Sequence, residues 1–323
     1  MTPHNFTQLM TQSYSLADWT QAMLQITRTN SQPFFVPLSS RRIDPLREQH
    51  KDETLAFLAT RAEHTFVMTG WILDNGLVSN LNRGTFYGHR NELGQLDGVA
   101  LIGHVTLFET DNESALAEFA RLTQDCESAK TVMGEADQVE RFLSYYKRDG
   151  QTPRLMYRER LFELRHKQEL EESVTGLRLA TAGDLELVAP VHAQMAFEES
   201  GVDPLFVDPE GFYRRCARRI EQKRVWVNVE NGQLIFKADV ISDTPEVIYL
   251  EGVYVSPEKR GNGLGARCMK QLSNELLTGT NSVCLLVNHK NSAANACYKK
   301  AGFTMRDLYD TLYLGQEKES LAH

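Results

Sequence analysis

The chain is 323 residues long and 41% hydrophobic, with a mean hydropathy of −0.39, so it has the length for roughly two domains and enough apolar residues to fill their cores. Its net charge of −8 argues against a general affinity for nucleic acid or for an anionic membrane. No apolar run reaches the length of a transmembrane helix, and the opening MTPHNFTQLMTQSYS has no apolar signal core. The five cysteines, Cys126, Cys216, Cys268, Cys284 and Cys297, are odd in number and form no CxxC. They read as reduced packing residues of a cytoplasmic protein, not as a disulfide framework or a metal site.

In chain order, Leu16, Trp19, Met23 and Ile26 suggest an amphipathic helix before Pro33. Glu53 to Glu63 reads as helix, and Phe66 to Leu73 as a strand ending in the Asp74-Asn75-Gly76 turn. Thr85 to His89, a turn at Leu93-Gly94-Gln95, and the apolar run Gly98 to Phe108 follow. A helix from Glu113 to Cys126 has Asn112 as its cap. Val132 to Glu135 reads as strand, Val139 to Lys147 as helix and Leu155 to Leu164 as a last strand, before a charged linker from Arg165 to Ser173.

The later half repeats this order. It reads strand Gly176–Ala180, helices Leu185–Glu199 and Phe212–Lys223, and a hairpin turning at Asn231-Gly232, a strong turn signal. Strand Val283–Val287, helix Ser292–Lys300 and strands Thr304–Leu308 and Thr311–Leu314 close it. The segment Glu92 to Leu96 resembles Glu230 to Leu234, and LMYRERLFEL resembles MRDLYDTLYL, so the halves look like two copies of one unit.

Between the hairpin and Val283 lies the most informative stretch: the strand VIYLEGVYV, the loop SPEKRGNGLG and the helix ARCMKQLSNELL. Strand alternation would put Val247, Tyr249, Glu251, Val253 and Val255 on one face. Leu264, Cys268, Leu272 and Leu276 form a helical apolar stripe. A glycine-rich turn leading into a helix N-terminus aims unpaired N–H groups and the positive dipole end at one point, which suits a phosphate. Gly261, Gly263 and Ala266 fit the dinucleotide fingerprint, but the next strand ends in Asn288 with no carboxylate, and five residues separate the first strand from its first glycine.

Arg260, Gly263 and Gly265, after Val255 and Pro257, resemble the pyrophosphate loop of the GNAT superfamily of acyl-CoA-dependent N-acetyltransferases. Asn291 to Phe303 resembles that family's second element, N-x-x-A-x-x-x-Y-x-x-x-G-F. The likeness spans Gly176 to Leu314. More closely, Glu198 to Pro204 and the hairpin Gly232 to Val240 resemble a subgroup of predicted GNAT proteins with a long uncharacterised N-terminal region. The resemblance implies an α/β fold of tandem GNAT-like units, each a mixed, bent sheet flanked by helices. Residues 1–170 would be a degenerate unit and 171–323 the acetyltransferase domain. Glu109-Thr110-Asp111-Asn112 stands where the second unit has its glycine loop, and its carboxylates would repel a pyrophosphate.

It further implies acetyl-CoA as cosubstrate, with Arg260, Gly261, Asn262, Gly263, Leu264, Gly265 and Ala266 around the pyrophosphate. Val253, Tyr254 and Val255 would run beside the pantetheine, in the manner of an added strand. Asn291 would contact the CoA arm, cap the next helix, or both. Tyr298 would bind near the CoA sulfur and protonate the leaving thiolate, against the plainer role of a core aromatic. Where the family often has a catalytic glutamate on the second central strand this chain has Leu286, which leaves Glu251 as base, as half of a salt bridge, or dispensable beside a water chain. Glu198, Glu199 and Asp203 would draw in an amine, or form a solvated acidic loop. The arginines of the Phe212–Lys223 helix read as a solvated face or as a pocket wall, and His192 as a packed histidine. The expected activity is acetyl transfer from acetyl-CoA to a primary amine of a small molecule by direct attack, by a monomer or homodimer. A protein or peptide acceptor and a non-catalytic acyl-CoA sensor are the alternatives.

Overall fold

The structure, a computed structural model, describes residues 43–146 and 153–315. The helix expected around Leu16 to Ile26 lies outside them. Twelve strands form one sheet: β1 (Ile43–Pro45), β2 (Gly84–Arg90), β3 (Leu96–Gly103), β4 (Val105–Thr110), β5 (Thr131–Glu135), β6 (Leu155–Leu164), β7 (Leu177–Leu179), β8 (Val225–Glu230), β9 (Gln233–Asp243), β10 (Val247–Val255), β11 (Ser282–Asn288) and β12 (Thr304–Tyr313). Their spatial order is β1-β2-β3-β4-β5-β12-β6-β11-β10-β9-β8-β7.

That order is nearly symmetric about its middle. β4 and β10 each pair antiparallel with the strand before them and parallel with the next strand of their own half, β5 and β11. β5 then pairs with β12, and β11 with β6. The two final strands have therefore changed places, each completing the other half's sheet, and they pair with one another. The domain boundary expected near residue 170 is thus crossed by the sheet. The architecture is the tandem mixed α/β sheet expected from the sequence.

The helices are α1 (Lys51–Leu58), α2 (Ala62–Asn75), α3 (Glu113–Gln124), α4 (Ala136–Tyr145), α5 (Leu185–Ser200), α6 (Pro204–Val207), α7 (Pro209–Glu221), α8 (Leu264–Leu276) and α9 (Ser292–Lys300). Helix α2 replaces the strand expected over Phe66–Leu73. Its residues Phe66, Val67, Met68, Gly70 and Ile72 are all buried, so the apolar period that marks a half-buried helix is erased. Gly76, at φ 85°, caps this helix instead of turning a hairpin. The helix lies against β9 so closely that a Cβ at Gly70 would stand 2.1 Å from Ser242 Oγ, which itself donates to Phe66 O at 2.6 Å.

Two further expectations change. The apolar run Gly98–Phe108 is two antiparallel strands, folded at Gly103–His104 so that Leu101 faces Leu107. The last two expected strands are one, β12, with a bulge between Met305 and Asp307. The Asn231-Gly232 hairpin forms as read, with both residues at positive φ (49° and 74°), as a tight β8–β9 turn demands. The segment read as a linker is fastened to α8: Asn274 exchanges hydrogen bonds with the backbone of Gln168, and Gln271 accepts from Val174 N–H.

Candidate active site

The site lies where β10 parts from β11. These strands pair in parallel only from Val247/Ser282 to Leu250/Leu285. Beyond that, β11 continues beside β6, while residues 251–255 of β10 stay beside β9 alone. The split opens toward the N-terminus of α8, directly after β10 and a single short turn, Pro257–Lys259.

At that helix end the cap is Gly263, at φ 74°, with no side chain to accept a hydrogen bond. The N–H groups of Leu264, Gly265 and Ala266 therefore have no intrahelical or capping acceptor. Cationic side chains surround them: Arg267 donates to Asn262 O at 3.1 Å, Arg260 donates to Val255 O at 2.9 Å, and Lys300 Nζ would lie 3.3 Å from a Cβ at Gly263. Gly265 allows close packing, since a Cβ there would meet Val255 Cγ2 at 3.1 Å and Cys297 Sγ at 3.2 Å. Uncapped N–H groups, a positive dipole end and three cations suit a diphosphate.

The matching place in the first half is closed. Asn112 caps α3 by accepting from Ser114 N–H at 2.8 Å and Ala115 N–H at 3.3 Å. Glu109 is buried rather than aimed at the helix end, and Arg61 binds it at 3.0 Å together with Glu135. The asymmetry between the halves is thus a filled cap against an empty one.

Within β10 the expected face sharing does not hold. Glu251 pairs with Asp239 and Tyr254 with Lys237, so Gly252 and Val253 together oppose Ala238. This bulge reverses the alternation. Val253 and Val255 join Ile248 and Leu250 in the core under α8 and α9, whereas Glu251 follows Val247 and Tyr249 onto the opposite face. Gly252, at φ 60°, is the residue that permits the kink.

Glu251 is open to solvent, yet the protein around it withdraws enough water to raise its carboxyl above the ordinary value, against the hydrogen bond from Tyr249 and the charges of Arg219 and Lys237. Glu199, at the exposed end of α5, is near enough to feel its charge; the surrounding protein and Glu251 raise its carboxyl to about 6, although Tyr313 donates to it. Glu159, on β6, was not anticipated. Burial and the charges of Glu199 and Glu251 raise it to about 7, while Thr311 Oγ1 donates to it at 2.6 Å. These three carboxylates, drawn from both halves, stand together on the side of the sheet away from α8 and α9. Nothing in the described contacts joins Glu198 or Asp203 to them: Glu198 accepts from Gln194, and Asp203 caps α6 through Leu205 N–H.

Tyr298 is 7% exposed between Phe162 and Phe303, and burial raises its hydroxyl well above the usual phenol value, with the Cys297 thiol adding to the shift. Asn291 caps α9, accepting from Ala294 N–H at 3.0 Å. Beside it Asn295, also not anticipated, donates to Asn288 O and Asn291 O and accepts from Arg160 of β6. A cavity of about 390 Å³ lined by Glu163, Val247, Cys284 and Arg306 is at the other end of β10 and contains none of these groups.

On the face opposite Phe236, Ala238 and Val240, Lys237 and Asp239, within the strand motif Phe236-Lys237-Ala238-Asp239-Val240, are almost wholly buried and 2.8 Å apart. Asp239 is met by Arg219 at 3.0 Å and by His192 Nδ1 at 3.2 Å, so neither partner is merely a surface or packing residue. A pair of charges in an otherwise apolar strand was the signal that could have found this cluster.

A split between parallel central strands that ends on an uncapped helix N-terminus suits an extended ligand carrying a diphosphate. Residues 221–305 match the family model for the acetyltransferase (GNAT) domain, so this segment carries a GNAT-type domain. No curated protein matches it. Among solved structures, a Drosophila protein is similar at 16% identity and a TM-score of 0.64, covering 85% of this chain and 99% of that one. A GCN5-related N-acetyltransferase from Sphaerobacter thermophilus is similar at 14% identity and a TM-score of 0.55, over 84% and 95% of the two chains. A tandem GNAT protein from the clavulanic acid biosynthesis pathway is similar at 13% identity and a TM-score of 0.54, over 85% and 99%. At such identities the likeness is one of fold.

Proposed function

We propose that the protein transfers the acetyl group of acetyl-CoA to a primary amine of a small molecule, binding the acetyl-CoA on its second half alone. The observation that carries this reading is the split between β10 and β11 opening onto the uncapped end of α8. The residues fit the ligand: the loop Arg260–Ala266 offers N–H groups and positive charge to the pyrophosphate, and Val253–Val255 offer a strand edge to the pantetheine amides.

The acceptor end supports an amine. Glu159, Glu199 and Glu251 favour a cation there, and each is raised by its surroundings, Glu159 to about 7 and Glu199 to about 6, which suits groups that exchange protons. In the proposed reaction Glu251, directly or through water, takes the ammonium proton. The amine nitrogen then attacks the thioester carbon, a C–N bond forms, and the C–S bond breaks. Tyr298 donates its proton to the departing thiolate, and the second proton, which the nitrogen sheds on becoming an amide, returns to Tyr298 through water. A buried phenol is a weak acid, but a thiolate leaving in the same dry surroundings is a correspondingly strong base.

A thiol-release assay with acetyl-CoA and a panel of small amines and N-terminal peptides tests this. CoA release dependent on a small amine is expected. Tight acetyl-CoA binding without release on any amine would make the protein a sensor, and release on peptides alone would make the acceptor a protein.

A further inference from the structure

Lys237 has a fully buried side chain, in a strand whose neighbours Phe236 and Ala238 are core residues. Burying an ammonium is costly unless it is paired, and a methionine of similar length would fill the space without that cost. Its two partners are specific. Asp239 Oδ1 lies at 2.8 Å, and the ammonium donates to Gly252 O, on the bulge of β10, at 3.1 Å. Burial alone would raise the Asp239 carboxyl; Lys237, His192 and Arg219 overcome this and hold it well below the carboxylate range. With Arg219 also bound to Asp239, that carboxylate is shared, and positive charge is left over for the Gly252 carbonyl.

The carbonyl of Gly252 and the N–H of Val253 belong to one peptide group. No peptide bond among the described residues is cis, so the group is planar with its two dipolar ends opposed. A lysine holding the carbonyl from its own face of the sheet turns the N–H of Val253 away from itself, on the stretch of β10 that β11 has left. A charge-assisted bond to the carbonyl also makes the N–H a stronger donor. We propose that Lys237 is a positioning residue: it orients and polarises the Gly252–Val253 peptide so that the Val253 N–H donates to the thioester oxygen as negative charge develops there. This rests on the reading that acetyl-CoA occupies the split.

The test is isotope-edited infrared spectroscopy of [1-¹³C]acetyl-CoA bound to the whole protein, with calorimetric affinity and melting temperature measured alongside. In the wild type the thioester carbonyl band should lie below that of free acetyl-CoA. In Lys237→Met the band should return toward the free position and kcat should fall about 10²-fold, as loss of one oxyanion donor does. Affinity and KM for acetyl-CoA should stay nearly unchanged, since the pyrophosphate loop is untouched. Lys237→Met with Asp239→Asn removes both buried charges and provides a folded comparison if the single variant unfolds; it should show the same loss of band shift. A folded variant of either kind that keeps the wild-type band and kcat overturns the proposal. A wild type that does not bind acetyl-CoA overturns the functional reading itself, which is a separate result.

Discussion

Glu251 and Val253 are two residues apart on one strand, and their side chains lie on opposite faces of the sheet. The bulge at Gly252 separates them. It sends the carboxylate to one face and the valine into the core under α8 and α9, so one strand presents different chemistry to its two faces.

Glu251→Gln should make this division measurable. Its carboxyl is raised, so the deprotonated base is lost as pH falls through a value above the ordinary 4.5. Wild-type kcat/KM should fall in that acidic window. The Gln variant should lose most at low pH, where the amine needs help losing its proton, and least at high pH, where it does not. A loss of equal size at every pH in a rate profile would assign Glu251 a structural role.

Tyr298→Phe keeps the ring between Phe162 and Phe303 and removes only the proton donor. Turnover should fall by about 10²-fold or more, with acetyl-CoA affinity nearly unchanged. Because burial raises this hydroxyl, the wild type should show no alkaline limb from Tyr298 below about pH 10. Full activity in the Phe variant would make it a core aromatic alone.

Glu159 gives a stability prediction with a definite sign. Its folded value of about 7 exceeds 4.5, so its contribution is present below pH 4.5 and is lost as pH rises through 7. Gln mimics the protonated form. Glu159→Gln should therefore melt a few degrees above wild type at pH 8 and with it at pH 4. Thermal melts that differ equally at both pH values would contradict the raised carboxyl.

Gly70→Val probes the contact of α2 with β9. The new side chain would collide with Ser242, so α2 and β9 must separate. Chemical denaturation should show a loss of about 3 kcal/mol or more, at the upper end of overpacking costs. Removing the hydroxyl in Gly70→Val/Ser242→Ala should recover part of it. No loss in the single variant would mean that the helix is not seated there.

What was legible in the sequence was mostly local. The glycine loop, the Asn112 and Asn291 caps and the Asn231-Gly232 turn each act over a few residues, and each forms as its sequence suggests. Helix α2 was not legible, because burial on nearly every side leaves no helical period to read. The Gly252 bulge was hidden by apparent alternation in VIYLEGVYV, although a glycine inside a strand is itself a warning. The exchange of β6 and β12, and with it the placement of Glu159 beside Glu199 and Glu251, depends on pairings more than a hundred residues apart, which no local pattern records.

The central claim is that one half of this molecule, and only one, holds an acyl-CoA diphosphate on an uncapped helix. Isothermal calorimetry of acetyl-CoA with the wild type and with Gly263→Glu tests it most directly. The substitution puts a carboxylate among Arg267 and Lys300, at a position whose φ of 74° already disfavours a side chain. One site per chain is expected, with affinity falling at least about a hundredfold in a folded Gly263→Glu protein, on the order of 3 kcal/mol. Two equivalent sites per chain, or unchanged affinity in the folded variant, would contradict it.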